Sequence, residues 1–173
     1  MLCLAIIRIV GIVSPVDPLT QATEAAITKL DGYGGKMTIS IFIVEDSEAL
    51  RKRLAAMLQD INGIQITGYA DSANQAIEAL LDMARHAARP DVAILDIQLL
   101  EGNGIDVLKF LRKNSPLTKT IMLTNYSYLH YQKKCAAEGA DHFFDKSTEF
   151  MKVQEALLEM VRLKDKSELV VAR

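Results

Sequence analysis

The sequence predicts a doubly wound α/β fold, a five-stranded parallel sheet with helices on both faces, carrying an N-terminal appendage. Three observations predict it. Short apolar runs alternate with helical-period segments from Thr38 onward; the run Val92-Ala93-Ile94-Leu95 has the length and β-branching of a strand buried on both faces; and that run ends at a carboxylate, Asp96. A charge there is not a packing choice, because in an open parallel sheet ligands bind beyond the carboxyl ends of the strands.

Each element follows from local chemistry. Thr38-Ile-Ser-Ile-Phe-Ile-Val-Glu45 reads as the first strand, ending in Glu45 and Asp46, and Ser47 is placed to cap a helix through Leu50, Leu54, Met57 and Leu58. Ile64 to Ala70 is the second strand. Ser72 with Gln75 makes a capping-box signature, and Ala76, Ile77, Leu80, Leu81 and Ala84 form the apolar face of the next helix. After Val92 to Asp96, a loop with Gly102 and Gly104 leads into a helix through Ile105, Leu108 and Leu111 that stops near Asn114-Ser115-Pro116. Lys119 to Thr124 is the fourth strand, followed by a helix from about Tyr128 to Glu138 that Gly139 terminates. Asp141 to Asp145 is the fifth. Ser147 or Thr148 is placed to cap the last helix, which turns Val153, Leu157, Leu158, Met160 and Val161 inward. Parallel strands joined this way take right-handed crossovers.

Residues 1–36 read as an appendage: an apolar opening interrupted by Arg8, an amphipathic helix capped at Asp17-Pro18, and a linker at Gly32-Tyr33-Gly34-Gly35. Met37 is an alternative start. Residues 37–165 form the domain and 166–173 a tail, too short for an output domain, so the expectation is a single-domain protein. The opening run is shorter than the roughly 20 apolar residues a membrane span needs, and it lacks a signal-peptide charge pattern.

Half of the 173 residues are apolar and the formal charge is −2, mixed along the chain. Without a basic stripe, direct nucleic-acid binding is not expected. Cys3 and Cys135 stand far apart without metal-ligand spacing, which suits a cytoplasmic protein and gives no zinc signal. His86, His130 and His142 have no ligand spacing either.

The carboxyl ends of the strands carry the chemistry. Glu45 and Asp46 follow the first, Asp96 the third, Thr124 ends the fourth and Lys146 follows the fifth. Three crowded carboxylates need a cation, and magnesium suits them because it binds through one or two carboxylates and completes its shell with water and phosphate oxygens. A nucleophilic aspartate attacking a phosphoryl group needs that charge, an ammonium and a hydroxyl. Taken singly these residues have ordinary structural roles; the ordered set is what carries the reading.

The set Val44-Glu45-Asp46-Ser47, Leu95-Asp96-Ile97 with Gly104, Leu123-Thr124 and Asp145-Lys146 resembles the receiver domain of two-component response regulators, from Thr38 to about Lys164. The resemblance implies a flavodoxin-like sheet of strand order 2-1-3-4-5. It implies that Asp96 accepts a phosphoryl group from a phosphohistidine of a sensor histidine kinase or histidine phosphotransfer protein. Magnesium would be held by Asp46, Asp96 and the main-chain carbonyl of Gln98, with Glu45 reaching it directly or through water. Lys146 and Thr124 would contact the phosphoryl oxygens, and Phe143 would turn inward as the switch aromatic when Thr124 moves. Output would pass to a protein effector, or to a homodimer partner, through the face of the fourth helix, fifth strand and fifth helix, where Tyr126, Tyr128 and Tyr131 crowd the start of the fourth helix.

Departures from the family pattern are Leu100 and Ser147, where prolines are common, and Asn125, where a small residue is usual. Gln98 and Tyr126 occupy positions that tune phosphoryl lifetime in the family. Two alternatives stay open: a pseudo-receiver that binds constitutively, and an Asp-nucleophile phosphatase of the haloacid dehalogenase type. The latter wants a second acid where Gln98 stands. A flavin or dinucleotide fold is disfavoured, since no Gly-rich loop follows the first strand.

Overall fold

A computed structural model describes residues 38–126 and 128–171, the last seven as backbone. The appendage, its helix and linker, Cys3 and the Met37 start lie outside the described residues. Five strands and five helices alternate: β1 (Ile39–Val44), α1 (Glu48–Gln59), β2 (Ile64–Ala70), α2 (Ala73–Arg85), β3 (Val92–Leu95), α3 (Gly104–Asn114), β4 (Lys119–Thr124), α4 (Leu129–Ala137), β5 (His142–Asp145) and α5 (Phe150–Val171). The sheet is parallel throughout, in the order β2-β1-β3-β4-β5, as the family resemblance implied. β2 and β4 have their predicted bounds. β1, β3 and β5 are trimmed by a residue at one or both ends.

The pleat explains why the central strands are apolar without alternation. Ile39, Ile41, Ile43, Val92, Ile94, Ile121 and Leu123 pack against Leu54 and Leu58 of α1 and Val153 and Leu157 of α5. Their strand neighbours Phe42, Val44, Ala93, Leu95 and Met122 face the other way, into a second core with α2, α3 and Cys135 of α4. Successive side chains point to opposite faces, so a strand covered by helices on both sides is apolar at every position. Each fully buried aliphatic side chain contributes about 1.5–3 kcal/mol.

Local chemistry sets the helix starts. Ser47 Oγ accepts the N–H of Leu50 at 3.4 Å, and Ser72 Oγ that of Gln75 at 3.3 Å. The Gln75 side chain reaches one residue further back than a capping box would, accepting the Asp71 N–H at 2.8 Å. Asn103 caps α3 by accepting the Ile105 N–H at 2.8 Å. The predicted Ser147 or Thr148 cap is not what starts the last helix. α5 begins at Phe150, and Asp145 Oδ1 instead accepts the N–H groups of both Ser147 and Thr148, at 2.7 and 3.0 Å. At its other end α5 continues past residue 165 to Val171, since no Gly or Pro follows Phe150. No helix among the described residues is long and apolar enough to cross a membrane.

Candidate functional site

The register brings the predicted site together. Val44 pairs with Leu95 across β1 and β3, so Glu45 and Asp96 leave adjacent strands at the same level. The Asp96 N–H donates to the Val44 carbonyl at 2.9 Å, extending the ladder by one bond. On the other side Thr124 pairs with Asp145, which delivers Lys146 to the same rim. There an open pocket of about 590 Å³ is lined by Glu45, Asp46, Asp96 and Lys146, with Ser47, Leu50 and Arg53 of the α1 segment on one wall. Gln98, Asn125, Tyr126 and Ser147 complete it.

Lys146 is the hinge of the electrostatics. Its ammonium lies 2.7 Å from Glu45 Oε2 and 2.7 Å from Asp96 Oδ2, and all three side chains are at most 8% exposed. One ammonium therefore serves two buried carboxylates, while Asp46 stands exposed beside them. Burial pushes the Glu45 carboxyl above its usual range and the Asp96 charge adds to this, although the hydrogen bond and charge of Lys146 and the Ser47 N–H oppose it. Asp96 Oδ1 is buried with no hydrogen-bond partner. An orphaned anionic oxygen in such a place is costly unless a cation or donor meets it.

Thr124 and Phe143 stand differently. Thr124 shares its pleat direction with Met122, towards the α2–α4 side, and its buried hydroxyl accepts the Tyr126 N–H at 3.2 Å. Phe143, paired with Met122, is half-buried against the same core. The geometry brings Glu45, Asp46, Asp96 and Lys146 together at the pocket, and Thr124 and Phe143 are not among the residues that line it. Tyr126, Tyr128 and Tyr131 do cluster: the Tyr126 ring lies 6.5 Å from Tyr128 and 6.2 Å from Tyr131, and His130 inserts 4.1 Å from Tyr131. Of the three tyrosines Tyr128 is the most open, at 64% exposed.

Arg51, and the contacts that Ser47 and Gly104 make with the acids, escaped the sequence reading. The Ser47 N–H donates to Glu45 Oε1 at 3.1 Å, and the Arg51 guanidinium donates to the main-chain oxygens of Glu45 and Asp46, pinning the acidic loop. A Cβ at Gly104 would stand 1.8 Å from the Asp96 carbonyl oxygen, so only glycine lets α3 start against that residue. Arg51 stands six and five positions beyond the acids, in the first turn of α1, and nothing local announces its contact with them or the Gly104 contact. Ser147 Oγ reaches Asn125 Oδ1 at 3.4 Å, Leu100 is 73% exposed, and no peptide bond among the described residues is cis.

The doubly wound parallel sheet thus gathers an aspartate, two further acids and a lysine at its carboxyl edge, where open parallel sheets bind their ligands. The comparisons specify the class further. The family model for the response regulator receiver domain matches residues 41–158, and the chain belongs to that family. It is 31% identical over 123 residues to the DNA-binding transcriptional activator DevR/DosR of Mycobacterium tuberculosis, covering 70% of this chain and 54% of that protein. The chain spans a little over half the length of the first curated relatives it matches, from 54 to 61%. Among solved structures, the response regulator domain of Thermotoga maritima CheB superposes with a TM-score of 0.60 at 26% identity, over 73% of this chain and 95% of that one. The receiver domain of the Pseudomonas aeruginosa sensor histidine kinase PA1611, with magnesium in its active-site cleft, shares the fold at a TM-score of 0.59 and 21% identity, over 72% and 98% of the two chains.

Receiver domains bind magnesium in this acidic cleft. The residues here fit that ion: Glu45, Asp46 and Asp96 each offer a carboxylate oxygen, all within 4.8 Å of one another, and Asp96 Oδ1 lacks a partner. Hard oxygen donors of this kind are what magnesium takes.

Proposed function

We propose that Asp96 is the phosphoacceptor of a two-component phosphorelay and that its phosphorylation switches a protein-binding surface. The observation that carries this reading is the buried Lys146 ammonium, 2.7 Å from an Asp96 carboxylate whose other oxygen has no partner. Magnesium, held by Glu45, Asp46, Asp96 and the Gln98 main-chain carbonyl, would supply charge that offsets what develops on the transferred oxygens. The Asp96 carboxylate forms the new O–P bond as the P–N bond of a phosphohistidine breaks, and the imidazole leaves with that electron pair. Lys146 stays paired with Asp96 and reaches the phosphoryl oxygens, exchanging its Glu45 contact for them.

Thr124 then exchanges one partner for another. Its hydroxyl now accepts from Tyr126; in the phosphorylated state it donates to a phosphoryl oxygen, and Phe143 follows into the space behind it. Only the phosphorylated site rewards that arrangement, so phosphorylation shifts an existing equilibrium. The face it changes is the one that bears Tyr126, Tyr128 and Tyr131, where an effector or a second copy docks. Aromatic side chains of this kind anchor protein interfaces. The phosphohistidine comes from a sensor histidine kinase or a histidine phosphotransfer protein.

The test is incubation with magnesium and acetyl phosphate. A hydroxylamine-labile adduct that forms in the parent protein and fails in Asp96→Asn supports the reading. Steady release of phosphate from many phosphate esters with no adduct would indicate a phosphatase instead, and no response to the acyl phosphate would indicate constitutive binding.

A further inference from the structure

We infer that Arg53 is a donor-binding residue of this site, a guanidinium that receives the dianionic phosphoryl group at the pocket mouth before it reaches Asp96. The inference rests on the phosphoacceptor reading above and adds a residue outside the strand-end set. Four observations carry it. Arg53 lines the same pocket as Asp96, Glu45, Asp46 and Lys146, and it is the one arginine that does so among the described residues. It is exposed, whereas Asp96, Glu45 and Lys146 are buried, so it occupies the solvent end of a pocket whose floor they form. Its guanidinium carbon sits 3.9 Å from the centroid of the Phe150 ring. Finally, no hydrogen bond or ion pair ties it to another described residue, in contrast to Arg51, which is committed to the main chain of the acidic loop.

These features fit one task. A phosphoryl donor approaching three carboxylates meets repulsion, and the Lys146 ammonium is already shared between two of them. A second cation at the entrance offsets that field where the donor first arrives. The ring of Phe150, itself 5% exposed at the start of α5, restrains the guanidinium by a cation–π contact that leaves its in-plane N–H fork open to phosphate oxygens. Leu50 and Arg53 are one helical turn apart, which keeps both on the pocket wall of α1. The phosphoryl dianion is common to acyl phosphates and to phosphorylated imidazoles, so Arg53 would serve both donors. In either transfer the Asp96 oxygen gains phosphorus while the acyl C–O–P bond or the N–P bond breaks on the phosphorus side, and the carboxylate or imidazole departs with the electrons.

The experiment follows initial rates of adduct formation by intact mass, with magnesium, against the concentration of acetyl phosphate and separately of N-phosphoimidazole, at two ionic strengths. Full-length protein is compared with Arg53→Ala and Arg53→Lys, and beryllium fluoride affinity is measured for each as a reading of the intact inner site. The expected result for Arg53→Ala is a rise of about fivefold in the half-saturating concentration of both donors, with the saturating rate and beryllium fluoride affinity unchanged. The salt dependence of the rate should flatten as well, and Arg53→Lys should restore it, since a point charge suffices for attraction. Unchanged half-saturation and salt dependence in Arg53→Ala would overturn the inference, as would an effect confined to one donor. If the unaltered protein forms no adduct at all, the phosphoacceptor reading fails first and this one falls with it.

Discussion

Lys146 Nζ lies 2.7 Å from Asp96 Oδ2, a buried ion pair that joins the ends of β5 and β3 across the intervening β4. Because Glu45 claims the same ammonium at 2.7 Å, the pair holds a surplus of negative charge. Removing the cation should therefore be expensive. Lys146→Met is expected to lower unfolding free energy by about 3 kcal/mol in the absence of divalent cations, the lower end of what breaking a buried pair costs, because Glu45 can take a proton. Urea unfolding with and without magnesium measures this, and the deficit should narrow with the metal present.

Asp46 offers a contrasting case. It is exposed, so Asp46→Asn should change stability without metal by no more than about 0.5 kcal/mol. Its oxygen is nevertheless within 4.8 Å of those of Glu45 and Asp96, and losing its charge should remove most of the magnesium affinity. For the parent protein, metal at a hundredfold excess over Kd adds about 2.7 kcal/mol, and the thermal midpoint of the variant should stay flat over the same titration.

Gly104→Ala probes the support beneath the aspartate. The added carbon would fall 1.8 Å from the Asp96 carbonyl oxygen, which forces α3 or the β3 end to move. The expected loss is about 1–3 kcal/mol in stability, accompanied by slower phosphorylation because Asp96 moves with its backbone. Chemical denaturation and adduct formation, measured on the same preparation, test the two effects separately.

At the opposite end of the sheet, Asp91 contributes to the acid limb of stability. Burial opposes its ionisation, but hydrogen bonds from the Ser40 N–H and hydroxyl, both at 2.8 Å, and from Lys164 at 3.1 Å outweigh it and hold the carboxyl below its usual range. A carboxyl depressed on folding contributes stability that is present above its unfolded pKa of about 3.9 and disappears as pH falls through the lower folded value. Urea midpoints followed from neutral pH down to about pH 3 should fall more steeply in the parent protein than in Asp91→Asn.

Much of this was legible in the chain. The strands announced themselves because every position of β1, β3 and β4 beyond the edge faces a helix layer, which leaves uninterrupted apolar runs. Glu45, Asp96 and Lys146 were legible because a charge directly after such a run has no packing role. What was not legible depends on contacts distant in sequence or on backbone detail. The ring of Phe150 beneath Arg53 joins α1 to α5, and no local pattern reports it. Ser147 and Thr148 do not cap α5, which starts only at Phe150, because the Asp145 carboxylate ties their N–H groups into the turn before the helix. Thr124 ends β4 as expected, but its hydroxyl is engaged by the Tyr126 N–H two residues on, a local contact that residue type alone does not reveal.

The most direct test of the central claim is the position of the phosphoryl group. After reaction with acetyl phosphate and magnesium, peptide mapping by tandem mass spectrometry should locate a single hydroxylamine-labile phosphoryl group on Asp96. A phosphoryl group found on Glu45, Asp46 or any histidine, or one that persists in Asp96→Asn, would contradict the account.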